Sequence, residues 1–159
     1  MKYKIINVPK INVCYFETQL TTSHQKNFSI IQGHWKKFNT RLRINKIKFD
    51  SEWEKFGITT KTNNLYFYQC AFYSESRIPQ FEYAHIPAGS FAKFTHTGPL
   101  YSLSKTINQI YKEIIPSSPL NINFNRSVIH YERYDSRFNW NNQNSIIDIF
   151  VPLQKVKAL

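Results

Sequence analysis

Two segments of the chain carry apolar residues at the same helical intervals, and this shared pattern constrains the fold more than any other feature. In each segment the apolar positions lie at i, i+3, i+7, i+10 and i+14, which places them on one face of an α-helix. The first set is Phe28, Ile31, Trp35, Phe38 and Leu42, and the second is Leu100, Leu103, Ile107, Ile110 and Ile114. Each helix is therefore predicted to lay one apolar face on a sheet.

Residues typical of helix ends flank both segments. Pro99 lies where the second helix would make its first turn, and Pro116 would end that helix. The hydroxyls of Thr22 and Ser23 can cap the free amides at the start of the first helix. The two helices are therefore predicted to begin near residues 23 and 99.

Runs rich in β-branched and aromatic residues flank both helices and predict strands. These runs lie at residues 11–20, 65–73, 90–96, 128–134 and 146–151. The order of elements predicts an α+β fold with duplicated βαββ-type halves, residues 1–80 and 81–159, that share one antiparallel sheet. Since 159 residues are typical of one ordinary domain, a single domain is expected.

Composition excludes several classes of protein. Four glycines cannot form a phosphate-binding motif, so no nucleotide cofactor is expected. Five histidines show no metal-ligand spacing and stand beside no acid cluster, so no metal is expected either. The chain has two isolated cysteines, no secretory leader and no apolar run of membrane-spanning length. A cytoplasmic location without membrane attachment is therefore expected.

Basic charge is concentrated in one part of a chain whose net charge is +11. No acid occurs between Glu17 and Asp50, and the basic stretch 36–48 falls within that interval. Such a stretch can attract an acidic protein partner, but it is also typical of a solvated helix face. No groove-reading element accompanies it, so direct DNA reading is not expected.

Glu132 is the one acid in the strand predicted at 128–134. Side chains alternate along a strand, so Glu132 shares a face with His130 and Tyr134. A carboxylate among aromatic rings can hold a cationic or polar-tipped aromatic ligand, whereas an ion pair with a nearby lysine or arginine would have no such function. In an apolar pocket the pKa of Glu132 is expected to rise.

Three aromatic residues are the preferred companions of Glu132. Tyr68 and Tyr134 offer both a ring and a hydroxyl, and Trp35 lies in the first helical stripe, where core packing is the simpler role. Trp140 belongs to an asparagine-rich loop and can either close over the opening of a pocket or remain an exposed edge. Sequence alone does not decide which face of the strand at 65–73 packs on a helix.

An ordered series of motifs gives the chain a family resemblance. The motifs in the second half lie at 86–92, 95–99, 131–134 and 147–153, and the matching parts of the first half lie at 35–38 and 65–72. Over essentially its whole length the chain resembles the GyrI-like small-molecule-binding family, the effector-binding domain attached to many AraC-type and MerR-type multidrug regulators. The resemblance implies two long helices on the sheet and a concave, aromatic-lined pocket, as in the SHS2 and Rob C-terminal domains.

The resemblance also implies a function. Ligands of the family are typically lipophilic aromatic molecules, cationic ones among them, and a glutamate that matches Glu132 supplies the buried negative charge. With no helix-turn-helix segment before Met1 or after Leu159, a stand-alone effector-binding domain is expected. Two alternatives stay open: a hydrolase of strained electrophilic compounds that uses Glu132, which is the less favoured, and a gyrase-inhibitor-like protein that acts through its basic stretch.

Overall fold

The computed structural model describes residues 1–154 as one antiparallel sheet of eight strands with two helices, which confirms the α+β prediction. The strands are β1 (Tyr3–Val8), β2 (Ile11–Gln19), β3 (Lys55–Thr62), β4 (Leu65–Tyr73), β5 (Glu82–Ile86), β6 (Gly89–Thr97), β7 (Val128–Tyr134) and β8 (Ile146–Pro152). The helices are α1 (His24–Ile44) and α2 (Leu103–Gln109). No helix within these residues is long and apolar enough to cross a membrane.

The strand order shows the duplication directly. It runs β1-β6-β8-β7-β3-β4-β2-β5, and every neighbouring pair is antiparallel. Each strand of one half has a counterpart in the other: β1 and β5, β2 and β6, β3 and β7, and β4 and β8. When every strand is replaced by its counterpart, the same order is obtained read from the opposite edge of the sheet, as expected of two related halves. Each half is ββαββ, one strand longer than predicted, and its first strand pairs with the other half. The β3–β7 pair lies on the pseudo-symmetry axis at the centre of the sheet.

The two helices differ in regularity. Ser23 caps α1, and its hydroxyl accepts a hydrogen bond from the Lys26 amide at 3.3 Å. The second helical segment is α-helical only over α2, because a 3-10 turn (Leu100–Ser102) precedes it and a π-helical turn (Ile110–Ile114) follows it. The predicted second helix therefore exists as three short pieces in succession.

The sheet has two different faces. On one, the helices bury Trp35, Phe38 and Leu42 of α1 and Leu103 and Ile110 of the second segment. The other face carries a second core around Phe56, Ile58, Phe91, Tyr131 and Phe150. Strand β7 contributes to both cores, through Tyr134 on the helix-covered face and Tyr131 on the other.

Candidate functional site

Glu132 lies at the centre of the sheet, on the face covered by the helices. It pairs with Gly57 across the β3–β7 ladder, and only 3% of its surface is exposed. Gly57 leaves room here, because a Cβ at that position would overlap the Tyr68 hydroxyl and lie 2.8 Å from Glu132 Oε1. A strand position without a side chain therefore makes space for a buried carboxyl group and its partners.

Three aromatic side chains enclose the carboxyl group. Tyr68 donates its hydroxyl hydrogen to Glu132 Oε1 at 2.9 Å, and Tyr134 donates to the same oxygen at 2.8 Å. Trp35 reaches in from α1 and donates Nε1–H to the Tyr68 hydroxyl at 3.1 Å. We call these four residues the carboxylate cluster. The structure brings together all four site residues predicted from the sequence.

Burial governs the protonation of this cluster. It raises the pKa of Glu132 to about 7, against the opposing effect of the hydrogen bonds from Tyr134 and Tyr68. Burial and the nearby carboxylate also raise the pKa of both tyrosines well above the ordinary value, so their hydroxyls stay protonated donors. Within residues 1–154 no lysine, arginine or histidine nitrogen lies within 4.0 Å of the Glu132 carboxylate, so the ion-pair alternative has no partner there.

A cavity of about 310 Å³ opens next to the carboxylate cluster. Its lining residues are Trp35, Asn39, Trp53, Lys55, Leu100, Tyr134, Phe138, Asn139 and Trp140. They include all three tryptophans of the chain. Trp35 and Tyr134 belong to both the cavity and the cluster, whereas Tyr68 and Glu132 are not among the lining residues and lie behind them.

A series of edge-to-face contacts leads from the cluster to the surface. Ring centroids are 5.2 Å apart for Trp35 and Tyr134, 5.0 Å for Tyr134 and Phe138, and 5.6 Å for Phe138 and Trp140. Trp140 is 47% exposed, and its carbonyl accepts a hydrogen bond from the Leu100 amide at 3.1 Å. The loop after β7 therefore places an aromatic side chain at the outer end of the cavity.

Several cavity residues had not been identified from the sequence. Trp53 and Lys55 fall in a segment with no regular apolar pattern, since β3 carries Gly57 and several polar residues. Phe138 belongs to the loop after β7, and Asn39 is a polar position of α1. Trp53 is an apolar residue in a polar segment, which was the one sequence signal for these cavity residues. That signal did not indicate which other residues Trp53 would contact.

His130 and the basic side chains of the stretch 36–48 lie apart from the cavity. His130 shares the face of Glu132, but its Nδ1 contacts the Tyr111 hydroxyl at 2.9 Å and burial lowers its pKa to about 4, so it is a neutral, satisfied side chain near pH 7. Over residues 1–154 no group of three histidine, cysteine, aspartate or glutamate side chains is arranged to hold a metal.

Part of the basic stretch 36–48 lines a separate groove beside α1. Lys36, Lys37 and Arg41 line it together with Gln80, whose carbonyl accepts a hydrogen bond from Arg41 at 2.8 Å. A protein partner for this groove stays a prediction.

Comparison with known proteins agrees with this architecture. The model of one family, the GyrI-like small molecule binding domain, matches residues 1–154. The fold is similar to that of SAV2435 bound to tetraphenylphosphonium, with a TM-score of 0.76 and 13% identity over 97% of this chain and 94% of the other.

Two further solved structures share the fold. The EcmrR C-terminal domain has a TM-score of 0.64 and 14% identity, with 98% of each chain covered. A hydrolase from Listeria innocua has a TM-score of 0.54 and 11% identity over 96% of this chain and 92% of the other. No curated protein sequence matches the chain.

Proposed function

The chain belongs to the GyrI-like small-molecule-binding family, and on that premise we propose that it binds lipophilic aromatic molecules in the cavity beside the carboxylate cluster. The observation that carries this proposal is the lining, in which three tryptophans, Tyr134 and Phe138 surround about 310 Å³. That volume is at the lower end of the range for small-molecule sites, about 300–1,000 Å³. Aromatic walls favour planar apolar ligands through stacking and edge contacts.

The carboxylate cluster supports one wall of this site. Tyr134 presents its ring to the cavity while its hydroxyl is held by Glu132, so the carboxyl group fixes the position of the ring. Ligand binding by Glu132 itself stays a proposal: a cation in the cavity would interact with the carboxylate across the Tyr134 ring and would favour its ionised form. Tetraphenylphosphonium, which SAV2435 binds, is a lipophilic aromatic cation and is one probe for this mode.

Tryptophan fluorescence provides a direct test, because every tryptophan of the chain lines the cavity. Titration with a neutral naphthalene derivative should produce saturable quenching with a Kd in the micromolar range, which corresponds to about −8 kcal/mol, and tetraphenylphosphonium should bind more weakly. Trp53→Ala should weaken binding of both while the chain remains folded. Absence of a saturable signal from a diverse panel of aromatic compounds would overturn the proposal.

A hydrolase is the second candidate function, and the raised pKa of Glu132 favours it. A carboxyl group with a pKa near 7 is suited to general-base catalysis at neutral pH, and a hydrolase from Listeria innocua has the same fold. Hydrolysis of an aromatic epoxide, followed by chromatography, tests this candidate. Turnover that is lost in Glu132→Gln would support it, whereas saturable binding of the epoxide without product would dismiss it.

A further inference from the structure

Lys55 is the one charged residue among the described lining residues of the cavity. Its ammonium group lies 5.0 Å from the centroid of the Phe49 ring and 5.5 Å from that of Trp53, within the range of cation–π contacts. It donates a hydrogen bond to Asn39 Oδ1 at 3.3 Å. The aromatic surface that would receive a cationic ligand therefore already holds the protein's own cation.

The ammonium group lacks a counter-ion in the part of the chain that the structure describes. None of the ion pairs formed by residues 1–154 includes Lys55. An ammonium has three N–H donors, and Asn39 accepts from one of them at the longer end of the hydrogen-bonding range. Partial burial also lowers the pKa of Lys55, a sign that its charged form is incompletely solvated. An acceptor brought by a ligand would supply the missing stabilisation.

Glu132 offsets this positive charge only in part, because burial raises its pKa to about 7 and leaves it partly protonated near neutral pH. Its carboxyl group lies behind Tyr134, and Oε1 accepts hydrogen bonds from two tyrosines. The net charge of +11 adds a long-range field of the same sign as Lys55. A ligand that enters the cavity therefore meets positive potential first.

We infer that the cavity selects aromatic ligands with a carboxylate at one end, which Lys55 binds, and that it disfavours permanent aromatic cations. The inference rests on the proposed binding function and specifies the class of ligand. The ring system would occupy the space between Trp53, Phe138 and Trp140, and the carboxylate would replace or share Asn39 as the acceptor for the ammonium. Charge-assisted hydrogen bonds of this kind are stronger than neutral ones.

Three ligands that share one ring system test the inference by calorimetry: 1-naphthoate, 1-naphthamide and 1-naphthyltrimethylammonium. On the wild-type chain the carboxylate should bind at least about tenfold more tightly than the ammonium compound, with the amide between them. Lys55→Met should reduce this preference to about twofold. Lys61→Met is the matched control, since Lys61 also lies on β3, over the Tyr66 ring at 5.4 Å, but outside the cavity lining.

The outcomes separate the inference from the proposed function. Equal affinities for the three ligands, or tighter binding of the ammonium compound, would overturn the selection of carboxylates and leave aromatic binding intact. An equal loss of preference in Lys55→Met and Lys61→Met would also overturn it, because net charge and not Lys55 would be the cause. Failure of all three ligands to bind would count against the binding function itself. The wild-type series decides the preference even if Lys55→Met does not fold.

Discussion

The carboxylate cluster holds a buried acid and the cavity beside it holds a base, on the same face of the sheet. Glu132 pairs with Gly57, and two residues along the same two strands Tyr134 pairs with Lys55. The acid is 3% exposed and is covered by tyrosine hydroxyls, whereas the lysine lines the cavity. In the proposed binding mode a ligand therefore meets Lys55 first, because Lys55 lines the cavity. Glu132 lies at the centre of the sheet, but other side chains separate it from the cavity.

Closure of the cluster depends on a residue without a side chain. Gly57 leaves the volume in which Tyr68 Oη and Glu132 Oε1 meet at 2.9 Å. Within residues 1–154 the ammonium group of Lys55 is enclosed less fully, since it contacts two ring faces and one amide oxygen. Substitutions on each side should therefore affect different properties: stability for the cluster and ligand affinity for the cavity.

The largest effect is expected from Gly57→Ala. The new methyl group would displace the Tyr68 hydroxyl and crowd Glu132, which combines overpacking with a lost buried hydrogen bond and should lower the free energy of unfolding by about 4 kcal/mol. Urea unfolding measures this. Gly33→Ala is the control: it lies inside α1 with nothing within 4 Å of an added Cβ, and it should stabilise the chain by about 0.5–1 kcal/mol. Similar effects of the two substitutions would contradict the tight closure.

A smaller effect, dependent on pH, is expected from Glu132→Gln. Burial raises the pKa of Glu132 in the folded chain from 4.5 to about 7, so the folded state binds a proton more readily than the unfolded state. This contribution to stability is complete below pH 4.5 and is lost as the pH rises to about 7. The free energy of unfolding of Glu132→Gln minus that of wild type should therefore be about 3 kcal/mol larger at pH 8 than at pH 4.5.

The difference in free energy of unfolding between wild type and Glu132→Gln must be measured, and not the wild-type curve alone. The reason is that His130 changes stability with pH in the opposite direction to Glu132. Burial lowers the pKa of His130 to about 4, so its contribution to stability increases as the pH rises from about 4 to the ordinary histidine value of 6.5. The two contributions nearly cancel in the wild-type curve. Urea unfolding of both proteins at several pH values isolates the contribution of Glu132 to the free energy of unfolding. A difference independent of pH would show that the carboxyl group is not enclosed.

The two tyrosines of the cluster should differ in their importance. Tyr68→Phe removes a donor to Glu132 and also the acceptor of Trp35 Nε1–H, so we expect a loss of about 2 kcal/mol in the free energy of unfolding. Tyr134→Phe removes only a donor and should cost about 1 kcal/mol. Thermal or urea unfolding ranks them. A greater loss for Tyr134→Phe would show that Trp35 does not depend on the Tyr68 hydroxyl.

The smallest effect is expected at the outer end of the cavity. Trp140→Ala removes a ring that is half exposed, so stability should change by less than about 0.5 kcal/mol. Affinity for a neutral naphthalene derivative, measured by calorimetry, should fall about threefold through the lost aromatic contact. Phe124→Ala is the matched control, an exposed aromatic residue outside the cavity lining, and it should leave affinity unchanged. Equal losses from both would exclude Trp140 from the ligand site.

Periodic sequence patterns predicted the parts of the fold that depend on local burial. The stripe of α1 repeats at helical intervals, and the strands around residues 65–73 and 128–134 are runs rich in aromatic and β-branched residues, so they were identified correctly. Strand β3 was missed because Gly57 interrupts its short apolar run and its second half is polar. Its pattern is understandable only after the sheet places Tyr68 and Glu132 beside it.

The site was partly predictable for a related reason. Glu132 was singled out as the one acid in its strand and was matched by the family resemblance, and strand alternation put Tyr134 on the same face. The position of Tyr68 and Tyr134 in front of the carboxyl group depends on hydrogen bonds between strands that no local pattern records. The approach of residues 53–55 to residues 138–140, which forms the cavity, is likewise a contact between distant segments. A negative pocket floor was therefore expected where the structure has a lysine-lined cavity over an enclosed acid.

A crystal structure of the chain soaked with 1-naphthoate would show directly whether Lys55 or Glu132 meets the ligand. We expect ligand density in the cavity between Trp53 and Trp140, with the carboxylate within hydrogen-bonding distance of Lys55 Nζ. Tyr134 should still donate to Glu132, as it does at 2.8 Å without ligand. Density beside the Glu132 carboxyl group, with Tyr134 or Tyr68 displaced from it, would contradict ligand binding by Lys55 and make Glu132 the residue that meets the ligand.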